Sequence, residues 1–123
     1  MVPREALDVL ETRALVWQTV FALLKLGHKE RLPGRPFGPD LPLFLVYGTA
    51  LLSVYGRRPV RASSISRQLE IPRETVRRHL GQLVKLGILE RRDGTYDIGE
   101  SARHVPHAKA FVRTIHQAAA RLM

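Results

Sequence analysis

Residues 72–98 contain a helix-period apolar stripe and, directly after it, the signal for a tight hairpin. The stripe members lie four and three residues apart on one helix face: Val76, Leu80 and Leu83. Pro72 suits the first position of that helix, and Gly87 predicts its end. Asp93-Gly94 then favours a two-residue hairpin turn, because this turn needs positive φ values. This segment constrains the fold to one in which a short β-hairpin follows a helix.

Two more helices are predicted upstream. Residues 62–69 form a short helix with Ile65 and Leu69 on its inner side. The uncharged run at 41–56 predicts a buried core helix that carries Pro42 in its first turn and ends near residue 55. This run is short for a membrane span, so no membrane association is expected. Residues 31–40 hold three prolines and two glycines, which predicts an irregular loop.

Long apolar helices are predicted at both ends of the chain. The first covers residues 5–28 and stops near Gly27, and the last covers residues 100–122. Each has an apolar seam with steps of three and four, formed by Leu7, Leu10, Ala14, Trp17, Phe21 and Leu24 and by Ala108, Phe111, Ile115, Ala118 and Leu122. A small domain does not need all of this surface for its own core, so these residues predict a homodimer interface. The alternative is that both helices pack onto their own domain.

These elements predict one domain over residues 1–123. Its parts are an N-terminal helix and loop at 1–40, a winged helix-turn-helix at 41–99 and a C-terminal helix at 100–123. The fold class is mainly α with a small β-hairpin wing, flanked by long dimerisation helices.

The segment "SSISRQLEIPRETVRRHLGQLVKLGILERRDGTYDIG" resembles the DNA-binding part of bacterial winged-helix transcriptional regulators of the IclR and MarR types. Ile71-Pro72 at the turn and the run "LGIL" at 86–89 carry much of this similarity. The layout with long flanking helices resembles the small dimeric MarR and PadR regulators. The resemblance covers about 40 residues. It implies double-stranded DNA as partner and transcription regulation as function. The cytoplasm is the expected location, because a chain without cysteine fits a reducing compartment.

Positive charge is concentrated in the same segment. Residues 57–92 contain ten of the 20 lysines and arginines and only three acids, and the whole chain has a net charge of +9. Such a basic region attracts a polyanion. Because one α-helix fits the major groove of B-DNA, helix 72–86 is predicted to read bases there. The wing at 88–98, with strands predicted at 88–92 and 95–98, is expected on the adjacent backbone or minor groove.

The predicted DNA-binding residues fall into three groups. The helix supplies Arg73, Thr75, Arg77 and Arg78 as first readers and Gln82 as a further one; the wing supplies Arg91 and Arg92; the short helix supplies Arg61, Ser63 and Ser64. Arginine pairs with guanine and glutamine with adenine, whereas other arginines bind phosphate. The alternative role for Ser63 is that of a helix cap.

Other functions are less well supported by the residues. The sequence has no phosphate-binding glycine loop, no serine elbow motif and no cluster of acids with a base, so no enzyme activity is expected. There is no cysteine, and His104, His107 and His116 make a weak metal set, so no cofactor is expected. Trp17 and Phe21 could line a pocket for a flat apolar effector, although core packing is the commoner role of such residues.

Two alternatives to a sequence-specific regulator stay open. One is a nucleic-acid-binding protein without sequence preference, such as a replication or chromosome-associated factor. The other is a winged-helix scaffold for protein interaction.

Overall fold

The computed structural model describes residues 4–99, apart from the side chain of Leu7, together with residues 113, 116, 117 and 120. Four helices precede two strands, namely α1 Arg4–Arg31, α2 Phe37–Tyr55, α3 Ala62–Leu69, α4 Arg73–Lys85, β1 Leu89–Arg92 and β2 Thr95–Ile98. This order confirms the predicted fold class, a mainly helical chain with a winged helix-turn-helix. The chain divides into two compact units, one containing α1 and the other containing α2 to β2.

Helix α1 is longer than predicted. It passes through Gly27, where a stop was expected, and ends at Arg31. The predicted stop was wrong because an interior glycine costs only about 1 kcal/mol relative to alanine. Basic residues in the last turn, including Lys29 and Arg31, also favour the negative end of the helix dipole.

Helix α2 begins earlier than predicted. The expected loop over residues 31–40 is limited to residues 32–36, and α2 starts at Phe37 after the extended residue Pro36. Pro39 lies in the first turn, where its missing N–H loses no intrahelical bond. Pro42 lies inside the helix rather than in the first turn. Prolines near a helix start are compatible with helix, so their number was a poor sign of irregular structure.

The core of the second unit lies between α2, α3, α4 and the hairpin. Helix α2 packs against α3, α4 and β2, and α4 packs against α3 and β1. Twelve buried apolar residues form this core: Leu43, Val46, Tyr47, Ala50, Val60, Ile65, Val76, Leu80, Leu83, Ile88, Leu89 and Ile98. Burying one large aliphatic side chain contributes roughly 1.5–3 kcal/mol, so this shared core holds α4 and the hairpin in place.

One described helix, α2, is long and apolar enough to cross a membrane by length and composition. However, one of its faces is covered by protein, and Leu43 and Val46 are almost completely buried. The Thr49 hydroxyl donates to the Leu45 carbonyl at 2.8 Å, and the buried Ser53 hydroxyl donates to the Thr49 carbonyl at 3.2 Å. These contacts agree with the predicted core helix.

The turn between α3 and α4 uses a left-handed residue that is not glycine. Glu70 has φ 55° and ψ 42°, a conformation that costs an L-residue roughly 1–2 kcal/mol. Two hydrogen bonds hold the turn, because the Ile71 N–H donates to the Ser66 carbonyl at 3.3 Å and the Ser66 hydroxyl donates to the Ile71 carbonyl at 2.6 Å. Ser66 of α3 therefore stabilises the turn between α3 and α4.

The end of α4 and the hairpin follow the prediction. Gly87 has φ 76°. The Gly87 N–H donates to the Val84 carbonyl, and the Ile88 N–H donates to the Leu83 carbonyl. This pair of hydrogen bonds ends the helix and reverses the chain. Asp93 and Gly94 both have positive φ in the two-residue turn.

The two strands pair antiparallel, from Leu89 opposite Ile98 to Arg92 opposite Thr95. Val60 adds an isolated antiparallel bridge to Tyr96 of β2.

The predicted C-terminal helix falls largely outside the described residues. Arg113, His116, Gln117 and Ala120 are helical and exposed. The five predicted interface residues of that helix lie outside the described part of the chain, and the proposal of a single domain over residues 1–123 stays a prediction.

Candidate nucleic-acid interface

Helix α4 has one buried face and one exposed face. Val76, Leu80 and Leu83 are fully buried at 0% relative exposure. At about 100° per residue, the positions opposite this stripe are Glu74, Arg78 and Lys85. All three side chains are exposed. Glu74, Arg78 and Lys85 thus form an outward stripe, on the side of α4 that faces away from the core and towards solvent.

The five predicted readers on α4 occupy different positions around it. Arg78 lies in the outward stripe, Arg77 is exposed about a quarter turn away from it, and Arg73 is exposed at the first position of the helix. The Arg77 guanidinium donates to a Glu74 carboxylate oxygen at 2.9 Å. Thr75 is only half exposed, and Gln82 is exposed with its Oε1 3.2 Å from His79 Nδ1. Arg78 is thus the predicted reader that projects most directly away from the core.

The two wing arginines differ in their partners. Arg92 lies 3.3 Å from a Glu90 carboxylate oxygen and 3.6 Å from an Asp97 carboxylate oxygen. Arg91 points to the other face of the hairpin, because neighbouring residues of a strand alternate. Arg91 is exposed, and no ion pair joins it to another residue within 4–99. Its charge is the more available of the two for a polyanion.

The predicted contacts at the start of α3 are also at the surface. Arg61 is exposed and is the N-cap residue, with an extended backbone and no side-chain cap bond. Ser63 and Ser64 lie in the first turn and are half-buried. The alternative role of Ser63 as a helix cap is wrong, because the cap position falls two residues earlier.

The N-terminal seam is exposed to solvent. Trp17 is 62% exposed, Leu10 56% and Phe21 49%, and the Trp17 and Phe21 rings lie 5.6 Å apart. Ala14 is exposed, Leu24 is half-buried, and the side chain of Leu7 is outside the described residues. Core packing, the alternative considered for Trp17 and Phe21, is therefore wrong for this chain.

Two α4 residues were not among the predicted DNA contacts. Glu74 and Lys85 share the outward stripe with Arg78, although only the arginines and polar readers had been selected. Their spacing of four and seven residues from Arg78 was the available signal.

Metal ligands do not cluster in the described part of the chain. No group of three or more His, Asp or Glu residues there could hold a metal ion. His104 and His107 lie outside the described residues, and His116 is exposed.

The geometry defines a winged helix-turn-helix with a basic exposed helix, a class of domain that binds DNA and is typically not enzymatic. A family model described as a helix-turn-helix domain matches residues 50–92, which include α3, the turn, α4 and β1. No curated protein and no solved structure matches the chain. The match supports DNA binding by this segment and leaves the regulator subtype undefined.

The wing contacts lead to a prediction about two neighbouring arginines. We expect Arg91→Ala to weaken binding to all DNA sequences and to reduce the salt slope by about 1, as for loss of one phosphate contact. Arg92→Ala should have a smaller effect, because Glu90 and Asp97 already hold that guanidinium. The measurement is the affinity for one duplex between about 50 and 200 mM salt.

Arg13→Ala, an exposed change on α1, provides the control for lost charge. Equal losses for Arg91→Ala and Arg92→Ala would show that the ion pairs do not restrain Arg92.

Proposed function

We propose that this chain is a sequence-specific double-stranded DNA-binding transcription regulator that acts as a homodimer in the cytoplasm. Helix α4 enters the major groove, and the wing contacts the adjacent backbone or minor groove. The layout is that of the small dimeric MarR- and PadR-like regulators, with both terminal helices joining the two copies. The chain carries no cofactor and catalyses no reaction in this role.

The observation that supports this proposal is the position of the basic residues on α4 and the wing. Arg73, Arg77 and Arg78 are exposed on α4, and Arg78 lies directly opposite the fully buried stripe of that helix. The hairpin that follows adds Arg91 at the surface. Arginine can bond two acceptors of guanine in the major groove, whereas phosphate contacts set position only.

The dimer is supported by the exposed apolar seam of α1. Soluble monomers rarely expose broad apolar surfaces, and aromatic residues are enriched in interfaces. A twofold dimer would place two recognition helices on successive major-groove faces of a pseudo-palindromic site.

Selection from random duplex DNA tests the proposal most directly. A regulator should enrich a common sequence with two half-sites about one helical turn apart. Recovery of DNA without any common sequence would favour the non-specific nucleic-acid-binding alternative. Absence of salt-sensitive DNA binding would favour the protein-interaction scaffold.

The outward position of Arg78 gives a prediction for base reading. Arg78→Ala should weaken binding to the selected sequence by about 1–3 kcal/mol and binding to random DNA much less. Lys85→Ala is the matched control, since it removes a charge from the same stripe near the helix C-terminus, away from the turn that usually reads bases. Competition titration of both variants measures the two affinities, and equal losses on both DNAs would assign Arg78 to phosphate.

A further inference from the structure

Helix α4 carries a single acid, and that acid lies in the middle of the basic exposed surface. Glu74 is in the first turn, its side chain is 83% exposed, and it shares the outward stripe with Arg78. A carboxylate at this position is repelled by DNA phosphates and lowers affinity for every sequence. The residue therefore opposes the non-specific binding that its neighbours promote.

The carboxylate of Glu74 contributes little to the stability of the fold. Its ion pair with Arg77 is exposed, with the Arg77 side chain 49% exposed, and such surface pairs add little to stability. A negative charge in the first helical turn is favourable, but this effect is also small at an exposed site. Neither contribution requires a glutamate that points away from the core.

The chemistry of the major groove suggests a role for this carboxylate. Ionised glutamate only accepts hydrogen bonds. In the major groove, guanine and thymine present acceptors, whereas cytosine and adenine present amino donors. A carboxylate on the groove-facing side of α4 therefore excludes guanine and thymine, and its usual partner is the cytosine amino group.

The Glu74–Arg77 ion pair also restrains the arginine side chain. Arg77 lies one turn beyond Glu74, and the 2.9 Å contact holds its guanidinium next to the carboxylate. A restrained arginine is less free to bind phosphate and is placed beside the base that Glu74 meets. The Glu74 carboxylate thus offers a hydrogen-bond acceptor, and the Arg77 guanidinium offers donors, to neighbouring bases.

We propose that Glu74 is a specificity-determining residue that reads a cytosine in each half-site and positions Arg77 for a neighbouring guanine. This inference rests on the proposed function, because it assigns a role within sequence-specific DNA binding. Glu74 acts on discrimination between DNA sequences, since the same carboxylate lowers affinity for DNA in general.

The test compares the wild-type chain with Glu74→Gln and Glu74→Ala in selection from random duplexes and in competition titration. Glu74→Ala should lower the ratio of specific to random affinity about 5- to 150-fold. Its affinity for random DNA should stay equal or rise, with a salt slope that is steeper by about 0.9 if the released Arg77 binds phosphate. Glu74→Gln should shift the selected base from cytosine towards adenine, because glutamine pairs with adenine N6 and N7.

Glu11→Gln is the matched control, since it removes one exposed negative charge from α1, outside the helix-turn-helix unit. It should leave the selected sequence and the affinity ratio unchanged.

If the wild-type chain and both Glu74 variants select the same sequence with the same affinity ratio, the role of Glu74 is overturned while the proposed regulator stands. If the wild-type chain selects no common sequence, both proposals fail. The two failures are therefore distinguishable in one experiment.

Discussion

Replacing Leu80 by alanine is expected to lower the free energy of unfolding by about 2–5 kcal/mol. Leu80 is fully buried in α4, on the face that packs against α2, α3 and β1. Truncation removes its apolar contacts and leaves a cavity that the surrounding helices fill only in part. Most small domains have a total stability of about 5–15 kcal/mol, so this single change is large. Urea denaturation followed by circular dichroism measures it.

Leu86→Ala offers a control with the same chemistry. Leu86 follows the last residue of α4 and is 45% exposed, so its truncation should change the free energy of unfolding by only about 0.5 kcal/mol. Its DNA affinity should match that of the wild-type chain. A similar loss for Leu80→Ala and Leu86→Ala would contradict the placement of α4 in the core.

The double change Trp17→Gln and Phe21→Gln is expected to convert the proposed dimer into a monomer. Both rings are exposed on α1 and lie against each other, as expected of anchor residues in an interface. Glutamine keeps the helix propensity and the net charge, so the change removes mainly apolar surface. Loss of the second half-site contact should lower affinity for a two-half-site duplex roughly 10²–10⁴-fold.

Light scattering and DNA titration test this together. The wild-type chain should have the mass of two chains and the double variant that of one, while affinity for a single half-site should be unchanged. Thr12→Gln is the control, because Thr12 is exposed on the side of α1 opposite the seam. A monomeric wild-type chain, or a double variant that remains dimeric, would remove the α1 interface.

Local sequence patterns were sufficient to predict the helix-turn-helix and its wing. The bounds of α3 agree with the prediction, α4 and both strands agree within one residue, and the Asp93-Gly94 turn has the expected backbone. These features depend on contacts between residues near in sequence, such as helix spacing and turn chemistry. The errors at Gly27 and over residues 31–40 arose where glycine and proline were taken as barriers to helix, although neither excludes it near a helix end.

The sequence by itself determined which residues share a face and where positive charge concentrates, because helix and strand periods are properties of the local backbone. The tertiary structure decided which faces are covered, and so left Trp17 exposed while burying Leu80. It also brought Arg92 within 3.6 Å of Asp97 on the paired strand, whereas the Arg77–Glu74 pair is a local contact between residues three apart on one helix. Helix and strand periods alone do not give the cross-strand contact, because it depends on which neighbours strand pairing brings within a few ångströms.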